Sequence, residues 1–296
     1  WTANSGSGAS NVNGLSDALV ENNSIYVGND PSSTTSGAEY NVALGEALKA
    51  ITEGDHNIAI GFDALAANTT GSFNIAVGKD ALSSNTTADN NVAVGTGAMD
   101  AIGPSSGGNY NVAIGYTALT ATTGDDNTAV GAYALAANTT ATNNVAMGRA
   151  ALYANTTGAG NTAIGTSAME ANTTGANNVA VGKFALDANT TADNNTAVGY
   201  NSLGANTTGA GNTAVGKDAL AVNTTGGSNT AVGWIAMTSS TTGASNTAFG
   251  RSALAANTVA SDNTAVGHIC LGSNTTGASN TAVGYTALTA NTTANS

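Results

Sequence analysis

Residues 212–228 read NTAVGKDALAVNTTGGS, and residues 229–245 and 246–262 repeat this pattern as NTAVGWIAMTSSTTGAS and NTAFGRSALAANTVASD. The glycine that closes each NTAVG-type motif marks the repeat, and from Gly131 onward it recurs at every seventeenth residue. The sixteen marker glycines are Gly28, Gly45, Gly61, Gly78, Gly95, Gly115, Gly131, Gly148, Gly165, Gly182, Gly199, Gly216, Gly233, Gly250, Gly267 and Gly284. Helix-pair repeats need more than about thirty residues, so the unit favours one coil of a β-solenoid.

Irregular spacings in the first half locate the loop of each coil. The step from Gly95 to Gly115 contains an insertion around GPSSGGN, and the next step has lost the Asn of the NTT motif. Insertions and deletions confined to one phase of a repeat mark that phase as a loop.

Composition excludes several classes of protein. Only 14 of 296 residues are Phe, Trp or Tyr, 8% are charged, and the net charge is −12. Disordered chains combine low hydrophobicity with many charges, whereas this chain carries regularly placed Val, Ile and Leu. Six Lys and Arg residues are too few for nucleic-acid binding through phosphate neutralisation. No apolar run reaches the length of about eighteen residues that a membrane span needs, so we expect no membrane insertion by this segment.

Within the unit, the motif N-T-A-V-G alternates with period two and contains β-branched residues, which indicates a short strand that ends at the glycine. The following A-L-x-A stretch is interpreted as a second strand, although a helical turn is also compatible with so short a run. N-T-T-G is typical of a turn. The sequence therefore predicts an all-β, parallel β-solenoid (β-roll) of about sixteen 17-residue coils with two short strands per coil, over residues 24–296. Residues 1–23 break the repeat and are interpreted as an N-terminal cap or linker.

Stacked coils turn each repeat position into a column of like residues. Asn lies four residues before the marker glycine in fifteen coils, from Asn41 to Asn280, and buried Asn columns can hydrogen-bond along the stack. Val or Ile lies just before most marker glycines, and Leu or Met lies four residues after them. We expect these two large columns to meet inside the roll, with the Ala columns facing a close neighbour.

Two large side chains per coil make a thin core. Their burial offsets only part of the conformational entropy that is lost when seventeen residues become ordered. Burial of a further flat face against other copies would offset part of this cost. The sequence therefore predicts a homotrimer that packs along the length of the repeat.

The motifs NNVAVG, NTAIG and NTAVG resemble the N-S-V-A-I-G signature of the YadA-like head repeat of trimeric autotransporter adhesins and of related phage tail-fibre proteins. The resemblance covers roughly residues 23–296. It implies a left-handed parallel β-roll, assembly of three chains into a fibre, and an exposed surface that binds a host matrix or receptor. The coil is longer here than the family's usual coil, because the NTTG segment enlarges one corner.

Candidate chemical sites are few, and we expect no enzyme activity, cofactor or metal. His56 and His268 lie far apart in the sequence, and Cys270 stands where other coils have a small buried Ala. Calcium needs six to eight oxygen ligands, whereas the acidic residues of the turns recur irregularly; they are Asp89, Asp125, Asp126, Asp193 and Asp262. N-T-T is formally a glycosylation sequon, as at Asn68, Asn155 and Asn274, but turn geometry is the simpler interpretation.

The residue directly after the marker glycine forms the most informative column. It contains five of the six cations, and from residue 149 onward a cation occupies every second coil. The predicted surface-recognition residues of this column are Arg149, Lys183, Tyr200, Lys217, Trp234, Arg251, His268 and Tyr285. The alternation keeps like charges apart and allows cation–π contacts between adjacent coils. The same stripe could also stack sugars or contact a receptor.

These observations predict an extracellular, cell-surface or virion-borne structural fibre or adhesin that mediates surface attachment through a trimeric β-roll. A host surface, matrix or glycan is the expected partner. One alternative is a self-polymerising head-to-tail filament subunit, since the last coil carries no cap-like segment. The other is an ice-binding solenoid, although adjacent Thr residues in N-T-T would point to opposite faces of a strand.

Overall fold

A computed structural model describes residues 18–28, 37–102 and 107–295, and the chain in it is an all-β parallel β-solenoid. Residues 1–17, most of the predicted cap or linker, lie outside the described residues. The chain divides into two compact units. Unit 1 comprises residues 1–133 and 138–140, and unit 2 comprises residues 134–137 and 141–296.

In its described residues, unit 1 contains one hairpin followed by a parallel stack. Its strands are β1 (Ala18–Glu21), β2 (Ser24–Val27), β3 (Val42–Leu44), β4 (Ile58–Ile60), β5 (Ile75–Val77), β6 (Val92–Val94), β7 (Val112–Ile114) and β8 (Thr128–Val130). β1 pairs antiparallel with β2, and the strands from β2 to β8 pair parallel with their sequence neighbours.

Unit 2 is a parallel stack throughout its strands. These are β9 (Val145–Met147), β10 (Thr162–Ile164), β11 (Val179–Val181), β12 (Thr196–Val198), β13 (Thr213–Val215), β14 (Thr230–Val232), β15 (Thr247–Phe249), β16 (Thr264–Val266) and β17 (Thr281–Val283). Equivalent residues lie side by side, as when Ala214 pairs with Ala231. Each repeat position therefore forms a column within its unit, as the sequence predicts.

In the part of the chain that the structure describes, each coil contains one strand, so the prediction of two strands per coil is wrong. The stretch predicted as a second strand, residues 217–222 in this coil, is a chain of turns in which Asp218 (φ 56°) and Leu220 (φ 51°) adopt left-handed backbone conformations. The Ala219 N–H donates to the Gly216 carbonyl at 3.2 Å, which closes a turn. Left-handed residues cannot continue an extended strand, and the coil bends sharply as a result.

The core combines Ala and Asn residues with a buried column of Leu and Met, so the predicted inward Leu column is confirmed, whereas the prediction that the Val column faces inward is wrong. Ala214, Ala219 and Leu220 are fully buried, whereas Val215 is only half-buried and lies on the outside. Successive strand residues point to opposite faces, so an inward Ala214 forces its neighbour Val215 outward. A column of alanines allows the facing walls of the coil to approach closely.

Two columns of buried asparagines connect the coils, and this confirms the predicted hydrogen bonding along the stack. In the first ladder, the Asn229 backbone N–H donates to Asn212 Oδ1 at 3.0 Å, and Asn229 Nδ2 donates to the Gly243 carbonyl at 2.8 Å. The second ladder uses the Asn of N-T-T, where Asn223 Nδ2 donates to Asn206 Oδ1 at 2.9 Å. Both ladders satisfy polar groups that would be costly to bury unpaired.

Candidate interaction surfaces

All eight predicted recognition residues lie in unit 2, in the column that follows the marker glycine; we call this column the post-glycine stripe. Backbone hydrogen bonds join its coils, because the residue after each stripe residue donates to the stripe carbonyl one coil earlier. Asp218 N–H donates to the Tyr200 carbonyl at 3.0 Å, and Ser252 N–H donates to the Trp234 carbonyl at 3.0 Å. The stripe is therefore a continuous row on the outside of unit 2.

Aromatic rings hold three of the four cations in the stripe. The Arg251 guanidinium carbon lies 4.6 Å from the centroid of the Trp234 ring, and Lys217 Nζ lies 5.9 Å from that of Tyr200. Lys183 Nζ lies 4.7 Å from the ring of its neighbour Phe184. Such contacts are attractive at exposed sites. The Arg251–Trp234 and Lys217–Tyr200 contacts join adjacent coils, and all three contacts restrict where the cations lie.

The remaining members of the stripe are exposed or stacked. Arg149 is exposed, and the rings of His268 and Tyr285 stack with 5.3 Å between centroids. Tyr200 and Trp234 are 47% and 46% exposed, and because their ring faces meet cations, their polar edges are the parts left for a ligand.

The outer face of the strands is a second surface, whose Val column was predicted to lie in the interior. It consists of the first and third residues of each three-residue strand, and we call it the outer strand face. In unit 1 both columns are aliphatic from β3 to β7, and Leu44, Ile58 and Ile114 are 40%, 37% and 41% exposed. From β12 to β17 in unit 2, the first column is Thr and the third is Val, with Phe249 as the exception. In N-T-A-V-G, Asn and Ala are two residues apart and therefore face the same side of the strand, which leaves Thr and Val on the other side. This alternation could have identified the outer strand face from the sequence.

Histidine and the turn aspartates have structural partners. His56 stacks between Tyr40 and Phe73, with centroid distances of 4.8 and 4.9 Å, in unit 1. Asp89 Oδ1 accepts the Ser72 N–H at 2.7 Å, and Asp193 Oδ1 accepts the Ala176 N–H at 2.7 Å, each one coil earlier.

The other turn aspartates divide between two roles. Asp125 Oδ1 accepts the Asn109 N–H at 2.8 Å, whereas Asp126 and Asp262 occupy left-handed turn positions. Within residues 18–28, 37–102 and 107–295, no three His, Cys, Asp or Glu side chains form a group suited to a metal ion.

The structure also decides between the two interpretations of N-T-T. Asn68, Asn155 and Asn274 are fully buried, and Asn68 Nδ2 donates to the Gly71 carbonyl at 2.8 Å. Glycosylation attaches at this nitrogen, so the folded coil shields it and the motif serves as a turn and ladder element. The first Thr of the motif is also engaged, since Thr224 Oγ1 donates to the Thr241 carbonyl at 3.1 Å.

Cys270 is fully buried in place of an Ala, as the sequence predicts, and its thiol donates to the Ala282 carbonyl at 3.1 Å. Burial raises the pKa of this thiol above its ordinary value.

The described part of the chain contains no helix long and apolar enough to cross a membrane. No protein-family model, curated protein or solved structure significantly matches the chain. The function of the protein is therefore inferred from its two surfaces, the post-glycine stripe and the outer strand face.

Proposed function

We propose that the protein is a non-enzymatic structural and adhesive fibre, assembled as a homotrimer through the outer strand face. The observation that carries this proposal is the aliphatic outer strand face of unit 1. Ten Val, Ile and Leu residues line its two columns from β3 to β7, although the residues facing the coil interior are mostly Ala and Asn. Exposed contiguous apolar surface of this kind marks an interaction site.

A second copy of the chain is the partner that fits this face best. Adjacent strands repeat at about 4.8 Å, and another copy carries ridges with the same repeat, so the two faces can interlock over many coils. The aliphatic residues of this face in unit 1 are at most 41% exposed, so covering each one contributes less than half of the roughly 1.5–3 kcal/mol that complete burial of a Val or Ile provides. The resemblance to the YadA-like head repeat supports three chains as the number, and a cell surface or virion as the location.

Light scattering on the purified chain tests the assembly. We expect three times the chain mass, and we expect Ile58→Lys combined with Ile114→Lys to give monomers because two charges would be buried at the interface. Thr70→Lys is a matched control, since Thr70 is exposed on a different column of unit 1. A wild-type monomer, or a double variant that still assembles, would contradict the proposal. Mass that grows without limit with concentration would instead identify the head-to-tail filament.

The Thr column of unit 2 favours ice binding as a second candidate function. Thr196, Thr213, Thr230, Thr247, Thr264 and Thr281 lie side by side on the outer strand face, next to a mostly Val column. This column is distinct from the N-T-T threonines, and it presents hydroxyl and methyl groups at a regular spacing. Thermal hysteresis that Thr230→Lys diminishes would support this candidate. An absence of both hysteresis and inhibition of ice recrystallisation would remove it.

A further inference from the structure

All Lys and Arg residues of unit 2 lie in one column of the repeat. Residues 141–296 contain four Lys and Arg and five Asp and Glu, whereas residues 1–140 contain two and thirteen. The four cations are Arg149, Lys183, Lys217 and Arg251, and all are exposed in the post-glycine stripe. They occupy every second coil, so consecutive cations are about 9.6 Å apart at a strand spacing of about 4.8 Å.

These cations are largely uncompensated, and three of the four are restrained by aromatic rings. Asp218 lies 3.8 Å from Lys217, while the other four acidic residues of unit 2 occupy other positions of the repeat; they are Glu170, Asp187, Asp193 and Asp262. Aromatic rings restrain Lys183, Lys217 and Arg251, as described above. A restrained side chain loses less conformational entropy when it binds a ligand.

We propose that the post-glycine stripe of unit 2 binds an acidic polysaccharide that carries one anionic group per disaccharide, laid parallel to the column. Two pyranose residues of an extended glycan cover about the distance between consecutive cations, so each cation meets one carboxylate or sulfate. The intervening uncharged sugars lie over Thr166, Tyr200, Trp234 and His268. The hydroxyl, indole N–H and imidazole groups of these residues hydrogen-bond sugar hydroxyls. This inference rests on the proposed adhesive function and names the ligand class.

The spacing distinguishes this ligand from nucleic acid. Duplex DNA carries one charge per about 1.7 Å of helix axis, so four cations about 9.6 Å apart would leave most phosphates without a partner. A polymer with alternating charged and uncharged sugars matches both the cations of the stripe and the residues that lie between them.

Calorimetry with hyaluronan, which alternates glucuronate with N-acetylglucosamine, tests the proposal at low ionic strength. We expect binding to the full chain and none to neutral dextran. Lys183→Gln combined with Lys217→Gln should weaken binding at least about tenfold, because two of the four charge-assisted contacts are lost. Lys49→Gln combined with Lys79→Gln removes the same charge from unit 1 and should leave the affinity unchanged.

A second variant separates spacing from net charge. Thr166→Lys combined with Lys217→Thr keeps four cations in the stripe but leaves only three of them at alternating coils, and we expect it to bind more weakly than the wild type. Undiminished binding by this variant, equal binding of dextran, or no binding of hyaluronan would overturn the proposal. Light scattering on the same samples keeps the two proposals apart, because a trimer that does not bind hyaluronan contradicts only the glycan site.

Discussion

Asn223 and Ser240 occupy equivalent positions in adjacent coils of unit 2, and the second asparagine ladder is broken between them. Asn223 Oδ1 and Ser240 Oγ are buried, and neither has a hydrogen-bond partner among the residues that the structure describes. On its other side, Asn223 Nδ2 donates to Asn206 Oδ1 of the preceding coil at 2.9 Å. The serine side chain is too short to repeat this contact, so the rung between these two coils is missing.

Ser240→Asn should restore the missing rung and stabilise the protein. The new amide can donate to Asn223 Oδ1, and its oxygen can accept from Asn257 Nδ2, which donates to the Ala260 carbonyl at 3.0 Å. Satisfying a buried acceptor contributes about 1 kcal/mol, and the urea midpoint should rise accordingly.

Ser240→Ala is the control for this prediction, because it removes the buried hydroxyl without supplying a donor to Asn223. It should change the midpoint little. A Ser240→Asn variant that is no more stable than Ser240→Ala would show that the ladder does not contribute to stability.

Gly216→Ala should destabilise the coil by at least about 2 kcal/mol, through backbone strain and a steric clash. Gly216 has φ 130°, and an added Cβ would lie 2.6 Å from the carbonyl oxygen of Gly233 in the next coil. Thermal unfolding followed by circular dichroism measures the effect.

Gly211→Ser provides a matched comparison in the preceding turn. Gly211 is also left-handed (φ 70°), but the nearest atom to an added Cβ is 3.9 Å away, and Ser228 occupies the equivalent position one coil later. We expect this variant to be close to wild type. Equal destabilisation by both substitutions would show that left-handed backbone strain, and not the contact between coils, decides the need for glycine.

The sequence was sufficient to predict the stacked coils, because a seventeen-residue period with insertions in only one phase of the repeat is compatible with few architectures. It also predicted the ladder of Asn212 and its equivalents and the burial of Cys270. These features depend on column identity alone, which a repeat displays directly.

The inner and outer faces could not be assigned from hydrophobicity. Val215 is larger and more apolar than Ala214, yet Ala214 is the strand residue that faces the narrow interior, and Val215 lies on the outside. The left-handed conformation of Leu220 was equally hidden, since Leu rarely adopts positive φ. Tertiary packing decides both, and the outer strand face was missed as a consequence.

Cys270 should resist alkylation in the native protein and react once the chain unfolds. The thiol is fully buried, and burial raises its pKa, so the reactive thiolate is disfavoured in the folded state. The folded chain holds this proton more tightly than the unfolded chain, so the contribution to stability is lost as pH rises through the raised pKa. Iodoacetamide labelling followed by mass spectrometry, with and without urea, measures the difference. Rapid labelling of the native protein would contradict the burial of this coil.

Trp234→Ala and Arg251→Ala test whether the ring and the cation of the post-glycine stripe act as a pair. Their cation–π contact predicts a coupling energy of about 0.5–1 kcal/mol in a double-mutant cycle of unfolding free energies. Lys183 and Trp234 belong to different coils that are not adjacent, so a cycle between these two residues is the control and should show no coupling. If the pair is coupled in stability, Arg251 is held by Trp234 before any ligand arrives. Additive effects of the two substitutions would mean that the ring leaves the guanidinium free to move, and that the stripe is not preorganised at this coil.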